Sequence, residues 1–265
     1  MGTELLRLDP QAEMSRLVRW VLERPADVRG IHRAYREAGA QLLTTHTLMA
    51  WREPDAEKLV ERAVQLCREA EPVFVQSAPV TVAASLGPGA SKQTYRDLAS
   101  VARDAGADLL QLETFIQVSE LARAVEASAN ELPIVALLVP GANGRTLGGN
   151  EEFNVAGAAL VEAGAAAIGL NCASPAVMQM ALPALRVGAG NLPLVFRPSA
   201  NNFAAGAGVF TDSGELASYT SPVSWVDAVY SLIDSAFTGD NRCFLGGCCG
   251  AGPSFIKALA TRLHS

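Results

Sequence analysis

The stretch RDAGADLLQLET, residues 103–114, joins the end of an amphipathic segment to a short apolar run. The same order of features recurs in looser form in REAGAQLLTT (36–45) and VEAGAAAIGLNC (161–172). The glycine in each copy fits the C-terminus of a helix, where a residue in the left-handed conformation ends the helix at low cost. The runs that follow are apolar on both faces, as expected for strands of a parallel sheet covered by helices. The repeat therefore predicts helices that alternate with parallel strands.

Extending this pattern along the chain predicts seven strands and eight helices. The strands are expected near 42–45, 81–85, 109–112, 134–139, 167–170, 194–196 and 243–246, and the helices near 26–38, 55–70, 93–105, 117–129, 151–163, 176–187, 222–236 and 253–263. Alternating elements imply a parallel sheet with right-handed crossovers. A length of 265 residues suits one (β/α) barrel, a fold of about 250 residues. We therefore expect a single α/β domain over residues 1–265. Periodicity does not decide between an open and a closed sheet, but the lack of an opening glycine-rich phosphate motif and the candidate site residues at the ends of several strands favour a (β/α)8 TIM-type barrel. No β-run precedes the first predicted helix, so this barrel is expected to lack or replace its first strand.

Composition and charge limit the class of partner. The formal net charge is −6 and no run of like charges occurs, whereas nucleic-acid-binding proteins usually present a basic face. The opening MGTELLRLDP (1–10) lacks the basic-then-apolar layout of a signal peptide, and no apolar stretch approaches the roughly 20 residues of a membrane helix. We expect a cytoplasmic protein that binds small molecules, with no nucleic-acid or membrane partner.

Three of the five cysteines stand where predicted strands end. Cys172 closes AIGLNC, and the adjacent Cys248 and Cys249 follow FLGG. The carboxyl ends of barrel strands meet at one face, so these thiols could converge on a metal and leave one coordination position open, as in catalytic zinc sites. Neighbouring residues on a regular strand point to opposite faces, so the backbone must leave the strand before Cys248. Two other interpretations remain open at this point: buried cysteines that act as small hydrophobes, and a redox-active disulfide between the adjacent pair.

Several motifs resemble the homocysteine S-methyltransferase family. GGCCGAGPSFIKAL (246–259) is similar to the family's closing GGCCG-x-x-P-x-x-I signature, and GLNCASP (169–175) to its G-x-N-C segment. Further similarities follow in the family's order, in MGTEL (1–5), AGAQLLTTHT (38–47), SLGP (85–88), QLETF (111–115) and GRTLGGN (144–150). The resemblance spans nearly the whole chain.

The resemblance implies a modified (β/α)8 barrel that holds one Zn²⁺ through Cys172, Cys248 and Cys249. Homocysteine would contribute its thiol as the fourth ligand, accept a methyl group from an activated donor and become methionine. Metal coordination deprotonates a thiol that is otherwise mostly protonated at neutral pH, so the transfer needs alignment rather than a general base. By the same resemblance Glu113 would bind the substrate ammonium group. Asn171 is expected to orient the Cys172 loop, and Thr45 and Thr47 to line the substrate pocket.

Two departures from the family pattern leave alternatives open. The family opens with a strand that leads into Asp-Gly, and this sequence begins just after that point; either the protein extends upstream, or the strand is absent and its neighbours are covered by the N-terminal segment, a second copy or a partner subunit. The segment FRPSANN (196–202) stands where the family has a P-N-A-G-like turn. The donor therefore stays open among S-methylmethionine, S-adenosylmethionine, a betaine and a methylated folate. The alternative function is a zinc-binding relative that does not catalyse the transfer or needs another subunit.

Overall fold

The computed structural model of the chain describes residues 1–70, 79–200, 221–234 and 243–264. Its strands are Leu42–Thr44 (β1), Thr81–Leu86 (β2), Leu109–Phe115 (β3), Ile134–Leu138 (β4), Ala167–Asn171 (β5), Leu194–Arg197 (β6) and Cys243–Leu245 (β7). Its α-helices are Gly2–Leu8 (α1), Trp20–Glu23 (α2), Pro25–Glu37 (α3), Ala56–Arg68 (α4), Lys92–Asp104 (α5), Val118–Ser128 (α6), Phe153–Glu162 (α7), Pro175–Ala189 (α8), Pro222–Asp234 (α9) and Pro253–Leu263 (α10). Short 3-10 helices span Met14–Arg19 and Ala50–Arg52.

Within these residues the strands form one parallel sheet in chain order, from β1 to β7. The seven predicted strands are all found, and the eight predicted helices correspond to α3–α10. For the last predicted helix but one, at 222–236, positions 235–236 lie outside the described residues. The fold is thus the expected α/β arrangement, a curled parallel sheet flanked by helices that resembles a TIM-type barrel short of one strand.

Local sequence explains where the helices begin and end. Gly39, Gly106 and Gly164 adopt φ values of 98°, 93° and 99° just beyond α3, α5 and α7, as the repeated motif predicts. Ser91 caps α5 by accepting a hydrogen bond from the backbone N–H of Thr94, which satisfies one of the unpaired donors of the first turn. These turns bring each strand back into the sheet, so that the strand ends point to one face.

The N-terminal segment contains helix α1, whereas the sequence pattern predicts no strand or helix before residue 26. In α1, Leu5 and Leu6 are fully buried in the main core. The Oγ1 atom of Thr3 lies 3.5 Å from the backbone nitrogen of Gly250, in the turn after β7. Among the described residues β1 pairs only with β2 and β7 only with β6, so the sheet is not closed between β1 and β7. The contact of α1 with Gly250 lies just after β7, one of these two edge strands.

Candidate metal centre

The Sγ atoms of Cys172, Cys248 and Cys249 all lie within 4.8 Å of one another. Zn–S bonds of about 2.3 Å at tetrahedral angles would place the sulfurs roughly 3.8 Å apart. The cluster therefore fits a tetrahedral ion after small side-chain movements, with one position left for another ligand. All five cysteines of the chain are free thiols, including the adjacent pair.

The adjacent cysteines lie in an irregular loop, as the motif requires. Strand β7 ends at Leu245, and the loop is fastened to the segment after β6: the Cys248 N–H donates to the Pro198 carbonyl at 2.9 Å, and the Ala200 N–H donates to the Cys249 carbonyl at 2.8 Å. At Gly247 an added Cβ would lie 2.2 Å from the Ala251 Cβ, so only glycine fits there. Leaving the strand lets consecutive side chains reach one point.

The third cysteine and a residue beside it have strained backbone conformations. Cys172 has φ = 56° and Thr114 has φ = 69°, conformations that non-glycine residues rarely adopt and that cost about 1–3 kcal/mol each. Asn171, which is fully buried, holds both: its Oδ1 accepts from the Thr114 N–H at 3.2 Å, and its Nδ2 lies 3.0 Å from the Thr114 Oγ1 and 3.5 Å from the Cys172 Sγ. Asn171 thus contacts both of these residues that have positive φ.

Hydrogen bonds among the three cysteine side chains shift their pKa values in different directions. Hydrogen bonds from Cys172 and Cys248 hold the pKa of Cys249 well below its usual value. The hydrogen bonds to Cys248 and Cys249, together with burial, raise the pKa of Cys172. The cluster thus favours one thiolate that accepts from two thiols, an arrangement suited to exchange its protons for a metal cation.

A chain of buried hydroxyl groups leads to Glu113. Thr45 Oγ1 accepts from the Ser85 N–H at 2.9 Å, and Thr47 Oγ1 donates to the Ser85 carbonyl at 2.7 Å. Because the proton of Thr47 is used in that bond, Thr45 is the donor in the 2.6 Å contact between the two hydroxyls. Ser85 Oγ then donates to Glu113 Oε1 at 2.5 Å. The two threonines therefore fix Ser85, which in turn fixes the carboxylate.

Arg197 holds the other oxygen of this carboxylate. Its Nη1 donates to Glu113 Oε2 at 2.9 Å and its Nε to the Gly247 carbonyl at 3.3 Å. Burial lowers the pKa of Arg197, but the charges of Glu113 and of the cysteines Cys248 and Cys172 more than offset this effect, so the guanidinium stays protonated.

The sequence pattern does not predict Arg197, Ser85 or Thr114 as site residues. The one signal for Arg197 is its position in FRPSANN, the segment that differs from the family's P-N-A-G-like turn. Asn201 and Asn202 of that segment lie outside the described residues.

Comparison with known proteins agrees with this geometry. The family model described as homocysteine S-methyltransferase matches residues 1–263. The chain belongs to the homocysteine S-methyltransferase family. This member is accordingly a methyltransferase. Its candidate site residues lie near the carboxyl ends of three strands: Glu113 near the end of β3, Cys172 just after β5, and Cys248 and Cys249 in the loop after β7.

Solved structures agree on the fold. The metallated form of the homocysteine methyltransferase MmuM from Escherichia coli superposes with a TM-score of 0.77 at 23% identity, over 99% of this chain and 93% of that one. The oxidized and apo forms of that enzyme match with TM-scores of 0.77 and 0.73, at 24% and 23% identity and with the same coverage. Among the described residues, no helix is both long and apolar enough to cross a bilayer.

Proposed function

We propose that this chain transfers a methyl group from an activated donor to the thiol of homocysteine, giving methionine, at a Zn²⁺ ion held by Cys172, Cys248 and Cys249. The observation that carries the proposal is the convergence of three thiols within 4.8 Å, on a chain whose family methylates homocysteine. The free thiols suit a reducing compartment, so we place the enzyme in the cytoplasm and in methionine biosynthesis.

The ion would coordinate the acceptor thiol and lower its pKa, so that the sulfur is nucleophilic at neutral pH. The protein side chains would position the cysteines and the acceptor. Asn171 holds Cys172 in its left-handed conformation and so keeps the cysteines convergent. Glu113, fixed by Ser85, presents a carboxylate to the ammonium group of the acceptor. Transfer between an aligned donor and thiolate requires no general base, and we assign none.

Thr45 and Thr47 act one step behind the pocket in this proposal. They are buried, and their hydroxyls are engaged with each other and with the backbone of Ser85. Their effect on the acceptor passes through Ser85 to Glu113. This arrangement keeps the carboxylate in one orientation before substrate enters, which reduces the entropy lost on binding.

The test combines metal content with turnover. The reduced chain, loaded with zinc, is assayed with homocysteine and each of four donors: S-methylmethionine, S-adenosylmethionine, a betaine and a methylated folate. Changing Cys172, Cys248 or Cys249 singly to serine should abolish both zinc retention and turnover. Cys243→Ser is the matched control, because Cys243 lies in β7 outside the cluster, and it should preserve both.

Two results would contradict the proposal. A triad variant that has lost zinc but turns over at the wild-type rate would separate the metal from the reaction. A wild-type chain that binds zinc but methylates homocysteine with none of the donors would favour the zinc-binding relative without catalysis.

A further inference from the structure

The ion pair between Arg197 and Glu113 is unusual in its position. Both side chains are largely buried, with exposed fractions of 19% and 10%, and both lie beside the cysteine loop. Burying two charges is costly, and a paired set is often no more stable than apolar residues of the same volume. Stability alone therefore gives little reason for charges here, and a role in ligand binding accounts for them better.

Within the part of the chain that the structure describes, the pair has unused hydrogen-bonding capacity on its cationic side. Among the described residues, Arg197 bonds to protein through Nε and Nη1, which leaves its Nη2 group without a protein acceptor. Glu113 uses one oxygen for Ser85 and the other for Arg197. Each carboxylate oxygen can accept a second hydrogen bond, so Glu113 can also receive an ammonium group. One fixed cation and one fixed anion thus stand side by side.

We propose that Arg197 binds the carboxylate of the methyl acceptor, so that the site selects thiols carrying both an α-ammonium and an α-carboxylate group. The inference rests on the proposed function and specifies its acceptor class. A planar guanidinium recognises a carboxylate well, because its donors are fixed in a fork that matches the two oxygens. Neighbouring opposite charges on the protein match the neighbouring opposite charges of an amino acid. A thiol lacking either group forms fewer charge-assisted hydrogen bonds with Arg197 and Glu113, which weakens its binding.

The test compares three acceptors with the same thiol. Homocysteine carries both groups, 3-aminopropane-1-thiol lacks the carboxylate, and 4-mercaptobutanoate lacks the ammonium group. Arg197→Lys keeps the charge and the pairing with Glu113 but loses the fork. It should lower kcat/KM about 10- to 100-fold for the two carboxylate-bearing thiols, the range that one charge-assisted hydrogen bond represents. The loss of kcat/KM for the aminothiol should be smaller by a factor of about ten or more. Glu113→Gln should give the complementary pattern, with the larger losses for the two ammonium-bearing thiols.

Binding measured by calorimetry, without a methyl donor, separates this inference from the proposed reaction. A zinc-loaded wild-type chain that binds homocysteine more tightly than the other two thiols, with the preference reduced in Arg197→Lys, supports the inference even if no methyl group is transferred. The double variant Glu113→Gln/Arg197→Gln removes both buried charges together and serves if a single variant fails to fold. In it the three acceptors should bind with similar affinity. Equal losses for all three acceptors in Arg197→Lys, or a double variant that keeps the wild-type preference, would overturn the inference.

Discussion

Replacing Gly247 by alanine should weaken metal binding by displacing the loop that carries two of the three cysteines. The new Cβ would lie 2.2 Å from the Ala251 Cβ, whereas carbon atoms pack at about 3.5–4.0 Å. The two carbons must therefore separate by about 1.3 Å or more, and Cys248 is the next residue in the chain. Overpacking of this kind costs about 1–3 kcal/mol of stability. Perturbing the support of a metal ligand typically costs about 10- to 100-fold in affinity, and we expect a loss in that range for zinc.

Zinc affinity is measured by competition with a chromogenic chelator, and folding by thermal unfolding of the metal-free protein. Gly246→Ala is the matched control, because the nearest atom to its new Cβ, the Arg197 Cγ, would lie at an ordinary 3.5 Å. It should bind zinc within about threefold of wild type, as expected for a substitution with no close contact. Wild-type zinc affinity in Gly247→Ala would refute the argument that close packing of this loop places the cysteines.

Three further results are expected. Asn171→Ala should lower zinc affinity about 10- to 100-fold, measured by the same competition, because Cys172 and Thr114 lose the side chain that holds them; unchanged affinity would assign Asn171 to packing alone. Saturating zinc should raise the unfolding temperature of wild type but not of Cys249→Ser, because only a folded state that binds the ion is stabilised; an equal rise in both would place the metal elsewhere. Burial lowers the pKa of His32 to about 3, so below its unfolded pKa near 6.5 only the unfolded chain takes up this proton and stability falls with falling pH. In metal-free protein, His32→Gln should remove roughly 1.4 kcal/mol per pH unit from the slope of unfolding free energy between pH 6 and 5, and an unchanged slope in denaturant titrations would show that His32 does not stay neutral.

The strands and most helices were predictable because their signals are local. The glycine after each amphipathic segment ends a helix. The apolar run that follows has the length and composition of a buried strand. Helix α1 gave no such signal, because it is a single short element and its place depends on Leu5 and Leu6 packing into a core formed by distant segments. The N-terminal segment was one of the coverings expected for a barrel without its first strand, and it does contact the turn at Gly250.

Only the site residues that belong to recognisable sequence motifs could be predicted. The convergence of Cys172 with Cys248 and Cys249 followed from strand ends meeting at one face and from the resemblance to the family. Arg197 was not predictable, because its pairing with Glu113 joins β6 to β3, 84 positions apart in sequence, and no local pattern records that contact. The series of hydrogen bonds from Thr47 to Glu113 was likewise not predictable, because it depends on the register of β1, β2 and β3.

The proposed function depends on three cysteines that hold one zinc ion and leave a position open to the acceptor thiol. The most direct test is zinc content of the reduced, chelator-free chain, with X-ray absorption at the zinc edge before and after homocysteine is added. We expect one zinc per chain with three protein sulfurs at about 2.3 Å, and a fourth sulfur on adding homocysteine. Absence of metal, or a zinc whose sulfur coordination ignores homocysteine, would contradict this expectation.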